Sequence, residues 1–259
     1  MKILIVSGFL GAGKTTFIKR LARNVDQRFA ILENEYGAAG IDGARLGQNR
    51  QGTQKNVWEM TEQCICCIGK KDFAASVLTI ANVVDPEYLI VEPTGVGSLA
   101  RIIENLRQIE YERIQLLSPV TIVDVYSYRR YMAEYPELYQ DQIRSADTII
   151  VSKTEACQAE EKQRIQKFLQ EINPQAKIIT DYASTMTRED YQSLLLGSRY
   201  EKKVQDTQSG EKMPETFSFE NIRMEAPETL WCFLEQIIRG AFGNIILSLI
   251  HISEPTRPY

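Results

Sequence analysis

The densest piece of chemistry in this 259-residue chain is Gly8-Phe9-Leu10-Gly11-Ala12-Gly13-Lys14-Thr15, followed by Thr16. It fits G-x-x-x-x-G-K-[ST] directly after an apolar run, Lys2–Val6, and before a helical pattern. The glycines allow the backbone to turn successive amides inward, and the following helix presents its positive end to the same place. The residues expected to line a bound triphosphate are Gly8, Gly11, Ala12, Gly13, Lys14, Thr15 and Thr16. Lys14 brings a mobile charge to the β- and γ-phosphates, and Thr15 brings a hydroxyl to Mg²⁺. Read blandly, the segment is a glycine-rich turn joining a strand to a helix.

Carboxylates stand where such a loop needs them. The run Tyr88–Val91 ends in Glu92-Pro93-Thr94-Gly95. Glu92 is placed to hold Mg²⁺ through a water or to orient the attacking water, and Gly95 to offer its amide to the third phosphate. The plain alternative is a helix-capping glutamate. Asp124 ends another apolar run and reads as structural as often as functional. The run Thr148–Val151 leads into Ser152-Lys153-Thr154-Glu155. GTPases keep N-K-x-D at this place, with a lysine stem across the purine and a carboxylate accepting from guanine N1–H and its amino group. Ser152 replaces Asn and Glu155 replaces Asp, so spacing and charge survive with one extra methylene. Guanine is favoured over adenine on that ground. The alternative is a helix start capped by Ser152.

Cys64-Ile65-Cys66-Cys67 puts three of the five cysteines within four residues. Thiolates so spaced suit Zn²⁺, Cu(I) or an iron–sulfur cluster, and three of them leave one position open for exchange. Glu35 is the carboxylate chosen to complete that shell. It lies in Glu33-Asn34-Glu35-Tyr36-Gly37, and Gly40-Ile41-Asp42 follows closely, where such proteins keep a first switch. Asp42 is assigned to magnesium. Acidic residues here could feel both cations, which would let nucleotide state bias metal affinity. Cys157 and Cys232 read as core residues.

The elements that must position these groups alternate. Strands are expected at Lys2–Val6, Phe29–Leu32, Tyr88–Val91, Val120–Val123, Thr148–Val151 and Lys177–Thr180. Helices are expected at Thr15–Asn24, Asp72–Val83, Leu99–Ile109 and Glu160–Ile172. Near-continuous apolar strands interleaved with helices predict an α/β fold with a mostly parallel central sheet flanked by helices. The expected organisation is a P-loop domain over 1–190, a polar linker over 191–215, and an incomplete small α+β region over 216–246. That last region holds a strand at Thr216–Met224 and a helix at Thr229–Ile238 capped by Thr229. The closing Ser248–Tyr259 resembles translated sequencing-adapter DNA, so residues 247–259 are read as a non-native tail. The alternative is a genuine polar tail.

Net charge is −4, with 44% hydrophobic and 25% charged residues. No basic block or long apolar run appears, so neither nucleic acid nor a membrane is expected as a partner. An odd cysteine count and an opening without the pattern of an export signal make a cytoplasmic location the expectation. With a single histidine, His251, histidine chemistry is nearly excluded.

Taken in order, Gly8–Thr16, Glu33–Gly37, Cys64–Cys67, Glu92-x-x-Gly95 and Ser152–Glu155 resemble the CobW-like metallochaperone GTPases. These belong with the urease and hydrogenase nickel-accessory GTPases. The resemblance covers about residues 1–185. It implies slow hydrolysis of GTP with Mg²⁺, zinc or cobalt held by Cys64, Cys66 and Cys67, and delivery to a client metalloprotein. A nucleotide-dependent dimer is compatible with it. Lys14 and Thr15 carry over as phosphate and Mg²⁺ ligands, and Lys153 with Glu155 as the base reader; Lys14 and Glu92 are the residues expected to serve hydrolysis. Gln63 stands where the family usually has glycine, and the family's small C-terminal domain is represented only by its opening. A regulatory module without turnover, or a dedicated activator of one metalloenzyme, are the alternative readings.

Overall fold

A computed structural model of the chain describes residues 1–27, 29–35, 57–63, 70–197, 199–204 and 226–241. Among the described residues eight strands form one sheet: β1 (Lys2–Gly8), β2 (Phe29–Glu35), β3 (Val57–Gln63), β4 (Tyr88–Glu92), β5 (Gln115–Leu116), β6 (Val120–Asp124), β7 (Thr148–Ser152) and β8 (Lys177–Ile179). Their order is β3-β2-β4-β1-β6-β7-β8, with β5 paired to β1, and every pairing between them is parallel. β1 lies between β4 and β6, where the connections diverge to opposite sides. That is where an open α/β sheet presents its binding crevice.

Alternation along β1 builds two cores. Ile3 and Ile5 join one apolar cluster while Leu4 and Val6 join the other, all at zero exposure. One sheet face is covered by α1 (Lys14–Asn24), through Phe17, Ile18 and Leu21, and by α8 (Arg188–Leu196), through Tyr191 and Leu195. The opposite face is covered by α2 (Lys70–Val83), α3 (Leu99–Arg107), α4 (Tyr128–Glu134), α5 (Pro136–Arg144) and α6 (Ala159–Ile172). A short α7 (Tyr182–Thr185) follows β8, and α9 (Pro227–Ile238) stands further on.

The six expected strands and four expected helices all form, most of the strands running one to three residues further toward the site. The core also continues past residue 190, where composition placed the domain's end. Tyr191, Leu195 and Tyr200 are buried, and the Tyr200 hydroxyl donates to the Ser145 carbonyl at 2.9 Å. A capping box between Thr187 and Asp190 starts α8, so an expected boundary at 190–191 would cut a packed helix. The later helix begins before Thr229: Ala226 is its N-cap and Pro227 opens its first turn, where a missing N–H costs nothing. The strand expected at Thr216–Met224, residues 205–215 of the linker and residues 247–259 lie outside the described residues.

Candidate functional site

The glycine loop leaves β1 at Gly8 with φ of 144°, followed by Gly11 at 68° and Gly13 at 100°. Gly8 is required twice over. Its φ strains any L side chain, and a Cβ there would stand 2.4 Å from the Ile122 carbonyl oxygen of β6. A second close approach occurs at Gly95, where a Cβ would meet the Leu10 nitrogen at 2.4 Å. The loop after β4 therefore lies with its backbone against the phosphate loop. Phe9 anchors the loop from below, its ring 4.2 Å from that of Tyr131 and 5.8 Å from Tyr139. The Tyr131 hydroxyl donates to the Leu10 carbonyl at 3.0 Å.

Lys14 is buried at the start of α1 and reaches back across the loop, its Nζ 3.5 Å from the Phe9 carbonyl. Beside it the Thr15 hydroxyl lies 3.0 and 3.3 Å from the two carboxylate oxygens of Glu92. A hydroxyl and a carboxylate at that spacing under an amide cradle match the hard oxygen donors that Mg²⁺ takes together with phosphates. Sequence separation between the two is 77 residues. The residues present thus fit a nucleotide with its Mg²⁺. Thr16 is exposed on the next position.

The loop after β7 is tied to the same cradle. Ser152 is buried, and its hydroxyl donates to the Ala12 carbonyl at 2.6 Å. It does not cap a helix: α6 starts at Ala159 with Gln158 at its N-cap. Lys153 adopts φ of 60°, rare for a residue with a side chain, and its ammonium pairs with Asp124 at 2.7 Å. Asp124 also accepts from the Tyr126 N–H at 2.9 Å and the Ser127 hydroxyl at 2.8 Å. The aspartate thereby aims the lysine and fixes its own turn, a double role that strand-end position alone did not reveal. Glu155 is exposed on the same loop. Asp181, after β8, lies alongside: it receives Lys162 Nζ at 2.6 Å. That bond, with a second from Thr154, holds its carboxyl below the usual aspartate range. Sequence reading missed Tyr131, Lys162 and Asp181, whose partners are remote and whose surroundings match no motif.

The metal-ligand candidates divide differently. Cys64, Cys66, Cys67 and Asp42 lie outside the described residues, and of Glu35 only the backbone position is described. That position is informative. Glu33 pairs with Glu92 across β2 and β4, and Glu35 pairs with Gln63 across β2 and β3. β3 therefore ends, one residue before Cys64, at the same sheet edge as Glu92 and the glycine loop. Among the described residues, no group of three His, Cys, Asp or Glu side chains could hold a metal ion. Nor, among them, is any helix long and apolar enough to cross a membrane.

Residues 2–180 match the family described as CobW/HypB/UreG, nucleotide-binding domain. The chain belongs to this family. Over 178 residues it is 30% identical to the zinc chaperone YeiR of Escherichia coli (strain K12), covering 68% of this chain and 53% of YeiR. Over 194 residues it is 27% identical to the zinc chaperone CobW of Pseudomonas aeruginosa, covering 64% of this chain and 52% of that protein. The chain spans about half the length of these curated relatives. Its fold is shared with Zn(II)-bound YjiA GTPase from E. coli. There the TM-score is 0.53 at 21% identity, over 78% of this chain and 66% of YjiA. HypB from Helicobacter pylori in complex with nickel gives 0.50 at 18% identity, over 74% of this chain and 81% of that one. The P-loop GTPase fold of this CobW-family chain is thus shown by both sequence and shape.

Proposed function

We propose that this CobW-family chain binds and hydrolyses GTP with Mg²⁺ and carries a transition metal, zinc or cobalt, to a client metalloprotein. The observation that carries the reading is the Thr15–Glu92 contact under the glycine cradle, at the edge where β3 runs into the cysteine triplet. In this reading the loop amides of Gly8 to Thr15 bind the phosphates and Lys14 neutralises charge between the second and third. Thr15 and Glu92 would hold Mg²⁺, which when bound would supply further charge neutralisation. Glu92 orients water, and Gly95 meets the third phosphate. Lys153, aimed by Asp124, covers the purine, and Glu155 selects guanine. Catalysis then rests on positioning and charge, which suits slow turnover. Cargo is assigned to Cys64, Cys66 and Cys67 with Glu35, and Asp42 is assigned to magnesium. Relatives named zinc chaperones support zinc as first choice.

The test couples two titrations. Zn²⁺ affinity is measured with a non-hydrolysable GTP analogue and with GDP, in the wild type and in Lys14→Ala. The wild type should show nucleotide-dependent zinc affinity. Lys14→Ala should bind zinc with no response to nucleotide. Equal affinity in both nucleotide states would leave the carrier reading without its gate. Phosphate release measured alongside separates a hydrolase from a binding module.

A further inference from the structure

Asp141 and Gln142 are consecutive residues of α5, buried to 5% and 1% exposure, and neither belongs to a motif of the site. Both side chains are spent on one loop. Gln142 Nε2 donates to the carbonyls of Gly95 at 3.1 Å and Gly97 at 3.0 Å. Asp141 Oδ2 accepts from the N–H groups of Leu99 at 2.7 Å and Ala100 at 3.4 Å, the first residues of α3. The loop between Glu92 and α3 is therefore gripped by its carbonyls at one point and by its amides at the next.

The chemistry dictates the amide's orientation, since a flipped Gln142 would set its own oxygen against two carbonyls. Its Oε1 consequently lies buried with no hydrogen-bond partner. An unmatched acceptor in a core is unfavourable, and an apolar side chain of similar length would avoid it. α5 is itself held from behind, as the Thr121 hydroxyl donates to the Gln142 carbonyl at 2.8 Å. What the grip maintains is the close contact between Gly95 and Leu10 of the phosphate loop.

We infer that Gln142, assisted by Asp141, is a positioning residue that holds the loop of Gly95 against the phosphate loop, so that the third phosphate of a bound nucleotide is recognised. The inference rests on the proposed role of Gly95 as the residue that meets that phosphate. It predicts a selective defect. A nucleotide lacking the third phosphate does not use the loop, so removing the grip weakens one ligand and spares the other.

The experiment measures affinity of the whole chain for a non-hydrolysable GTP analogue and for GDP, each with Mg²⁺. Gln142→Met keeps length and loses both donors. It should lose about tenfold in affinity for the analogue, the order expected when buried carbonyls lose their donor, with GDP affinity unchanged within about twofold. Asp141→Asn, which keeps an acceptor but not the charge, should shift the ratio in the same direction by less, and it carries the test if Gln142→Met does not fold. Thr121→Val disturbs α5 without touching the loop and should lower the melting temperature while leaving the ratio alone. Loss of both nucleotides in proportion, or of neither, overturns the assignment. A wild type that binds neither nucleotide would sink the GTPase reading itself, and this assignment with it.

Discussion

Glycine-to-alanine changes at two positions separate geometry from chemistry, because the added methyl meets backbone in both. At Gly95 the methyl would sit 2.4 Å from the Leu10 nitrogen. Gly95→Ala should drive the two loops apart and abolish GTP-analogue binding, with melting reduced only modestly. At Gly8 the methyl would meet the Ile122 carbonyl oxygen inside the sheet. Gly8→Ala should instead destabilise the whole fold, lowering the melting midpoint by several degrees. Asp181 makes a pH prediction. Its carboxyl is held low by Lys162 and then Thr154, so the folded state binds a proton there less readily than the unfolded state. The stabilisation is present above the ordinary aspartate pKa and is lost as pH falls through the folded value. Asp181→Asn should flatten that acid limb in denaturant titrations. The place of the glycine loop between β1 and α1 was legible because the turn is local, its glycines adopting the positive φ that their type allows. The alternative of Ser152 as a helix cap failed for the converse reason: its bond to Ala12 spans 140 residues, and no spacing rule reports it.

At the scale of elements, apolar run and strand agree wherever both sheet faces are covered, as in β1, β4, β6 and β7, whose inner residues are almost all buried. The expectation stopped early at polar ends such as Glu92, Asp124 and Ser152, since ligand-facing residues break the apolar pattern where the strand reaches the site. α4 and α5 escaped notice. They are short, tyrosine-rich and separated by Tyr135, with Pro136 opening the second. Periodicity needs about eleven residues to show itself, and neither has them. β5, at two residues, offers no pattern at all. Caps of α3 and α8 make the prediction proper to this scale. The Ser98 hydroxyl accepts from the Arg101 N–H at 3.2 Å, and Thr187 with Asp190 closes a capping box. Ser98→Ala and Thr187→Ala should each cost about 1 kcal/mol in urea denaturation. Only Ser98→Ala, at the end of the nucleotide loop, should also change GTP-analogue affinity.

For the whole molecule, ligand and stability are linked by mass action. GTP analogue with Mg²⁺ at a hundredfold excess over its dissociation constant should stabilise the fold by about 2.7 kcal/mol. A thermal scan should show that rise in the wild type and none in Lys14→Ala. If the chain is the carrier proposed, the pairing of β2 bears on how cargo and nucleotide would communicate. Gln63 and Glu92 are aligned with β2 residues two apart, on strands that flank it from either side. With strands about 4.8 Å apart and about 3.3 Å of rise per residue, the two backbones stand about 12 Å from each other. Two dications at such a separation repel in water by about 1.4 kcal/mol, and physiological salt screens much of that. Repulsion carried through water would therefore weaken as salt is added. A signal carried instead by displacement of backbone should keep its strength from low to half-molar potassium chloride, so the salt dependence of the nucleotide effect on zinc affinity separates the two.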